Sequence, residues 1–118
     1  MTKMYKLANH TTNNAHVEFD YDNTATLQCV RLVSYYTTIL EIKNDFSPDV
    51  WIKVKYPVNC SRTTARHINW FTINFFGKNL YQALKATPVD GFLPMINAAE
   101  SFKDSVRWYN DNAVKFHR

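Results

Sequence analysis

Glycine is nearly missing from this chain: 2 of 118 residues, Gly77 and Gly91, where average usage of about 7% would give about eight. Two isolated glycines cannot build a phosphate-cradling loop. That excludes the dinucleotide fingerprint, the P-loop and the kinase glycine loop together. Cysteine is equally sparse. Cys29 and Cys60 form no Cys-x-x-Cys pair and cannot supply a four-ligand zinc site. No run approaches the ~18 consecutive apolar residues of a membrane span, and residues 1–12 hold no apolar stretch fit for a signal peptide. The expected location is therefore the cytoplasm, with no membrane partner. There the two thiols stay reduced, and the sequons at Asn9 and Asn59 are chance matches. No cofactor and no metal are implied.

What is present is one domain's worth of chain, residues 1–118, with 46% hydrophobic and 15% aromatic residues. A domain this size buries roughly two-thirds of its unfolded surface. Residues 16–21 alternate, with Val17, Phe19 and Tyr21 against His16, Glu18 and Asp20, as a half-buried strand does. Asn23 and Thr24 mark a turn. Residues 26–43 are rich in β-branched and aromatic side chains but too long for one strand, so two strands or a bend near 34–38 are expected. A loop follows at 44–49. Residues 50–56 alternate again, Tyr5–Leu7 suits a short edge strand, and Pro57 closes the β region.

Beyond that point the period changes. Ser61 or Thr63 can cap a helix over about 62–76 that ends at Gly77, with Ala65, Ile68, Phe71, Thr72 and Phe75 on one face. A short helix over about 79–86 is predicted next. Phe92, Met95, Ala99, Phe102, Val106, Tyr109, Ala113 and Phe116 then recur at spacings of three and four, which predicts a helix over about 94–116 starting at Pro94. Strands first and helices after argue for an α+β fold: an antiparallel sheet of about four strands covered on one face by helices. The 92–116 stripe also has the spacing of a homodimeric coiled-coil seam. Covering the sheet is the alternative use of the same stripe.

Charge is uneven. The chain is formally +4. Residues 1–59 hold six basic and six acidic side chains, and residues 60–118 hold eight and four. Between Asp49 and Asp90 there are six cations and no acid: Lys53, Lys55, Arg62, Arg66, Lys78 and Lys85. Arg62 and Arg66 lie one turn apart at a helix start, where acids are the usual choice. With the hydroxyls of Ser61, Thr63 and Thr64, His67 and the first backbone N–H groups, they make a candidate anion site. Lys53 and Lys55 would extend the field. Trp70 falls beside the arginines on the helical wheel, and aromatic groups next to cations suit nucleic acid or a protein interface. The plainer alternatives are a capped helix with solvated arginines and a Trp70 covered by a neighbour. Trp108, opposite the 92–116 stripe, is a second candidate interface aromatic. Glu18 and Asp20 share one strand face with His16 and Asp22, and carboxylates so placed would suit a divalent-metal site of nuclease type. Solvated strand carboxylates are the alternative.

Two segments resemble a known group: Ser34-Tyr35-Tyr36-Thr37-Thr38-Ile39, and Ser61-Arg62-Thr63-Thr64-Ala65-Arg66-His67-Ile68-Asn69-Trp70-Phe71. Together they are similar to small bacteriophage- and plasmid-borne proteins of low-GC bacteria, in which a Ser-Tyr-x-Thr strand segment precedes a Ser-x-Thr-Thr-x-x-His helix start. The resemblance implies a mobile-element accessory protein of the host cytoplasm, with no activity to carry over. It also groups Ser34, Tyr35, Thr37, Thr64 and His67 as a local network. The expected function is non-enzymatic binding of nucleic acid, or another phosphate-bearing ligand, through 53–70, with Tyr35 or Trp70 stacking. The alternative is a protein-interaction module acting on a host or defence protein through Trp70 and Trp108. A metal-dependent nuclease is the distant third.

Overall fold

The structure, a computed structural model, describes residues 1–8, 14–43, 48–58 and 61–117. Cys60, the sequons at Asn9 and Asn59, and most of the predicted 44–49 loop lie outside the described residues. The strands are β1 (Thr2–Lys6), β2 (Ala15–Tyr21), β3 (Leu27–Ser34), β4 (Thr37–Lys43), β5 (Val50–Val54) and β6 (Phe92–Met95). The helices are α1 (Arg62–Phe76), α2 (Tyr81–Lys85) and α3 (Ala99–Asn112). The strands form one sheet in the order β1-β2-β3-β4-β5-β6, every neighbour antiparallel. The fold is thus α+β with helices packed on an antiparallel sheet, built on six strands rather than about four.

Register explains the layering. Cα partners in an antiparallel sheet share a face. Tyr5, Val17, Leu32, Leu40 and Val54 form one row across five strands. Phe19, Val30, Ile42, Ile52 and Leu93 form the next. These rows, Leu93 excepted, are buried and meet Ile68, Phe71 and Phe75 of α1 and Phe102 and Tyr109 of α3. The centre is aromatic. Phe75 stacks on Tyr109 at 5.2 Å, and Phe19 stands 5.7 Å from Tyr109 and 6.3 Å from Phe75. On the opposite face the corresponding row reads Met4, Glu18, Arg31, Glu41, Lys53, Phe92.

The long 26–43 segment divides at a hairpin turn over Tyr35 and Tyr36. Tyr35 sits at φ 58°, and its N–H donates to the Asn14 carbonyl. At the β2–β3 turn, Asp22 Oδ1 accepts from the backbone N–H groups of Thr24 and Thr26 at 2.8 and 3.0 Å.

The last predicted helix is corrected at both ends. Phe92–Met95, expected in its first turn, is strand β6, paired with Val50–Lys53. Pro57 therefore does not close the β region. Pro94 is on the outer strand of the sheet, where its missing N–H is tolerated, and is not a first helical residue. Asn97, at φ 54°, breaks the backbone between strand and helix, and its N–H donates to Asp49 Oδ1 at 2.9 Å. At the other end the chain turns extended at Ala113 (ψ 148°). The Lys6 N–H donates to the Val114 carbonyl at 2.7 Å, and the Phe116 N–H to the Met4 carbonyl at 3.0 Å. The spacings of three and four run on through both segments although no one helix carries them: Met95 is buried in the core, Phe92 stands exposed on the opposite sheet face, and Phe116 stacks on His16 beside β1. Among the described residues, no helix is long and apolar enough to cross a membrane.

Candidate nucleic-acid interface at the start of the first long helix

Ser61 is the N-cap of α1: its Oγ accepts from the Thr64 N–H at 3.3 Å. That fixes the first turn and aims its remaining N–H groups out of the helix end. Gly77 closes the far end at φ 73°, its N–H donating to the Ile73 carbonyl at 2.9 Å. No acid stands in the first turn. Arg62 and Arg66 are exposed, and among the described residues neither has an ion-pair partner.

Inward from them lies a polar lock. Ser34 Oγ is 2.8 Å from His67 Nδ1 and 3.2 Å from Thr64 Oγ1, and the Ser61 hydroxyl donates to Thr64 Oγ1 at 3.2 Å. Ser34, Thr64 and His67 are all buried. The lock joins the end of β3 to α1. It thereby holds the Tyr35–Tyr36 turn against the helix, with the Tyr35 ring 6.2 Å from that of His67. Tyr35 is 49% and Tyr36 89% exposed.

The residues picked out from the sequence therefore separate. Arg62, Arg66 and Tyr35 remain at the surface, with half-buried Thr63 between the arginines in sequence. Burial takes Thr64 and His67 off that surface and makes them the fastening beneath it. Trp70 is half-buried and packs against the core. Lys55 is exposed just past β5, its N–H donating to the Ile39 carbonyl at 2.8 Å. Lys53 belongs to the sheet face away from the helices, 4.0 Å from Asp90 Oδ1 and over the Phe92 ring at 5.6 Å. Trp108 is on α3, 47% exposed. Tyr36 was not singled out from the sequence. The signal was there: two residues between two β-favouring runs must form the tip of a hairpin, where both side chains meet water.

Glu18 and Asp20 are on the open sheet face, as their parity requires, and both face Arg31, at 3.4 and 3.5 Å. Burial pushes the Glu18 carboxyl up, but the hydrogen bond and charge of His16 and the Arg31 guanidinium outweigh it and hold it below its ordinary value. His16 Nε2 is 2.7 Å from Glu18 Oε2, and Phe116 stacks on the imidazole at 4.2 Å. Arg31 also reaches Glu41 at 3.9 Å and donates to Cys29 Sγ at 3.0 Å. Cys29 is a free, buried thiol, pushed up first by burial. These carboxylates are thus matched by cations within the face. Among the described residues, no group of three or more His, Cys, Asp or Glu side chains converges as a metal site would.

Comparison of the chain with protein-family models, with curated proteins and with solved structures gave no match.

Proposed function

We propose that this chain is a non-enzymatic accessory protein of the mobile-element kind its two motif segments resemble, and that it binds nucleic acid at the start of α1. One observation carries this reading: two exposed arginines, one helical turn apart and without ion-pair partners among the described residues, stand on the helix to which a buried hydrogen bond pins an exposed two-tyrosine turn. Guanidinium groups hold phosphate oxygens in bidentate fashion. Tyrosine rings stack on bases without regard to sequence. The macrodipole adds in the same direction, because the N-terminus of α1 is its positive end. Arg62 and Arg66 contact phosphate, Tyr35 and Tyr36 stack, and Lys55 extends the field. Thr64, His67 and Ser34 position the two elements and touch no ligand.

Electrophoretic shifts of short single- and double-stranded DNA and RNA test this. Binding should be present at 50 mM salt and fall by about tenfold or more at 200 mM if several phosphates are engaged. It should be lost in the Arg62→Ala plus Arg66→Ala variant, with the thermal transition unchanged because both side chains are exposed. No shift at low salt, or full binding by the double variant, overturns the reading.

A further inference from the structure

The other end of α1 borders a groove of about 620 Å³ between α1 and α3, lined chiefly by Ile73, Asn74, Asp104, Ser105, Trp108 and Tyr109. Its polar floor is closed on itself. The Tyr109 hydroxyl donates to Asn74 Oδ1 at 2.6 Å and accepts from the Ala8 N–H at 3.0 Å. The Ser105 hydroxyl points at the Asn74 and Ser101 carbonyls at 2.9 and 3.1 Å, and Asn74 Nδ2 donates to the Trp70 carbonyl at 2.7 Å. What is left facing the opening, beside the Ser101 hydroxyl, is apolar or anionic: the half-exposed Ile73 and Trp108 side chains and the Asp104 carboxylate.

Asp104 and Trp108 are four residues apart on α3, so their side chains stand one above the other on one helix face. A carboxylate beside an indole suits a cation. The indole face attracts it through its quadrupole, the carboxylate through its charge, and Ile73 offers a wall for an alkyl stem. The present partner of Asp104 is Arg107, 3.5 Å away, with both side chains about 70% exposed, and so exposed a pair holds weakly. Arg107 thus occupies the carboxylate weakly and can be displaced. The groove volume falls in the ~300–1,000 Å³ range of binding clefts, enough for several residues of a chain rather than one side chain.

We propose that this groove docks a basic segment of a partner protein, seating one arginine or lysine against Trp108 and Asp104 with apolar neighbours over Ile73. It is a second surface, independent of the nucleic-acid reading and of opposite preference: it takes a cation where the start of α1 takes an anion.

The test follows the Trp108 indole N–H by NMR in the intact chain, assigned by its absence in Trp108→Phe. The probes are acetyl-Leu-Arg-Leu-amide, acetyl-Leu-Glu-Leu-amide and a single-stranded oligothymidylate. The arginine peptide should move that resonance saturably, and the glutamate peptide should leave it in place. Asp104→Asn should weaken the arginine peptide by about two- to fivefold, the range of an exposed ion pair. Arg107→Ala should tighten it, since the competing cation is gone. All these side chains are exposed, so the fold is retained. Equal response to both peptides, an affinity unmoved by Asp104→Asn, or movement of the Trp108 resonance by the oligonucleotide overturns the proposal. None of these outcomes bears on Arg62 and Arg66, so the two readings fail separately.

Discussion

At its N-terminal end α1 is fastened to the sheet by hydroxyls and an imidazole, with Thr64 and His67 meeting Ser34 at 3.2 and 2.8 Å and Ser61 bonded to Thr64 behind them. At its C-terminal end the same helix is held by rings, Phe75 lying against Phe71 of its own helix and against Phe19, Phe102 and Tyr109. The exteriors differ as sharply: Arg62 and Arg66 at one end, Trp108 and Asp104 beside the other. A polar fastening is directional and fixes one element's orientation on another, at small net stabilisation because each bond replaces bonds to water. A ring cluster is nearly non-directional and supplies stability through the apolar area it removes from water. The ring end accordingly holds the domain together, and the hydroxyl end sets where the Tyr35–Tyr36 turn stands relative to the arginines.

The sharpest way to break that contrast is Phe75→Ala. Phe75 is fully buried and contacts four aromatic rings. Its truncation should cost about 3–5 kcal/mol, read in urea as a lower midpoint at unchanged slope. A loss under 1 kcal/mol would mean that the ring cluster does not carry the core.

Next in size is a pH effect at the same end. Burial pushes the Tyr109 hydroxyl up to about 12, against about 10 in the unfolded chain. Between those values the folded chain keeps a proton that the unfolded chain releases. The stabilisation is therefore complete below pH ~10 and disappears as pH rises through ~12, a loss of about 2–3 kcal/mol. Denaturation midpoints measured from pH 9 to 12 should fall steeply in the parent and less steeply in Tyr109→Phe. The remaining slope belongs in part to Tyr5, whose hydroxyl burial also raises. Identical slopes in parent and variant would show Tyr109 to be no more protected than a surface tyrosine.

How much of each end could be read from the sequence follows from the same chemistry. The hydroxyl end was visible as a local string, because caps and first-turn residues act over three or four positions: Ser61, Thr64 and His67 announce a helix start together. Their partner Ser34 was grouped with them by resemblance, since nothing in a β-favouring run says which serine will face a helix 30 residues later. The ring end was visible as a periodic face, Phe71 and Phe75 with Phe102 and Tyr109, because burial imposes the helical period. The same period misled at 92–95 and 113–116. In β6 the spacing of three joins residues on opposite sheet faces, Met95 in the core and Phe92 in the open, and one such spacing looks the same as a helical one. The groove was not legible as a site. Ile73, Asn74 and Trp108 each fell on the outer side of its own helix, and only the packing of α3 against α1 places them around one space. Nor could the separation of Lys53 from Arg62 be read, since it depends on which sheet face the helices cover.

The smallest of the expected effects separates fastening from function at the hydroxyl end. Ser61→Ala removes the cap on the Thr64 N–H and the bond to Thr64 Oγ1, a loss of ~0.5–2 kcal/mol. Ser61→Asp should restore most of it, because a carboxylate caps as well as a hydroxyl and complements the positive helix end. The same carboxylate would stand within a turn of Arg62 and compete with phosphate for it. Nucleic-acid affinity should then fall in Ser61→Asp while stability does not, and stability should fall in Ser61→Ala with little change in affinity at a temperature where both variants are folded. Paired urea titrations and binding isotherms at 50 mM salt read both quantities. If affinity instead tracks stability through the two substitutions, the start of α1 matters to binding only by being folded. The arginines would then be ordinary solvated charges on a capped helix.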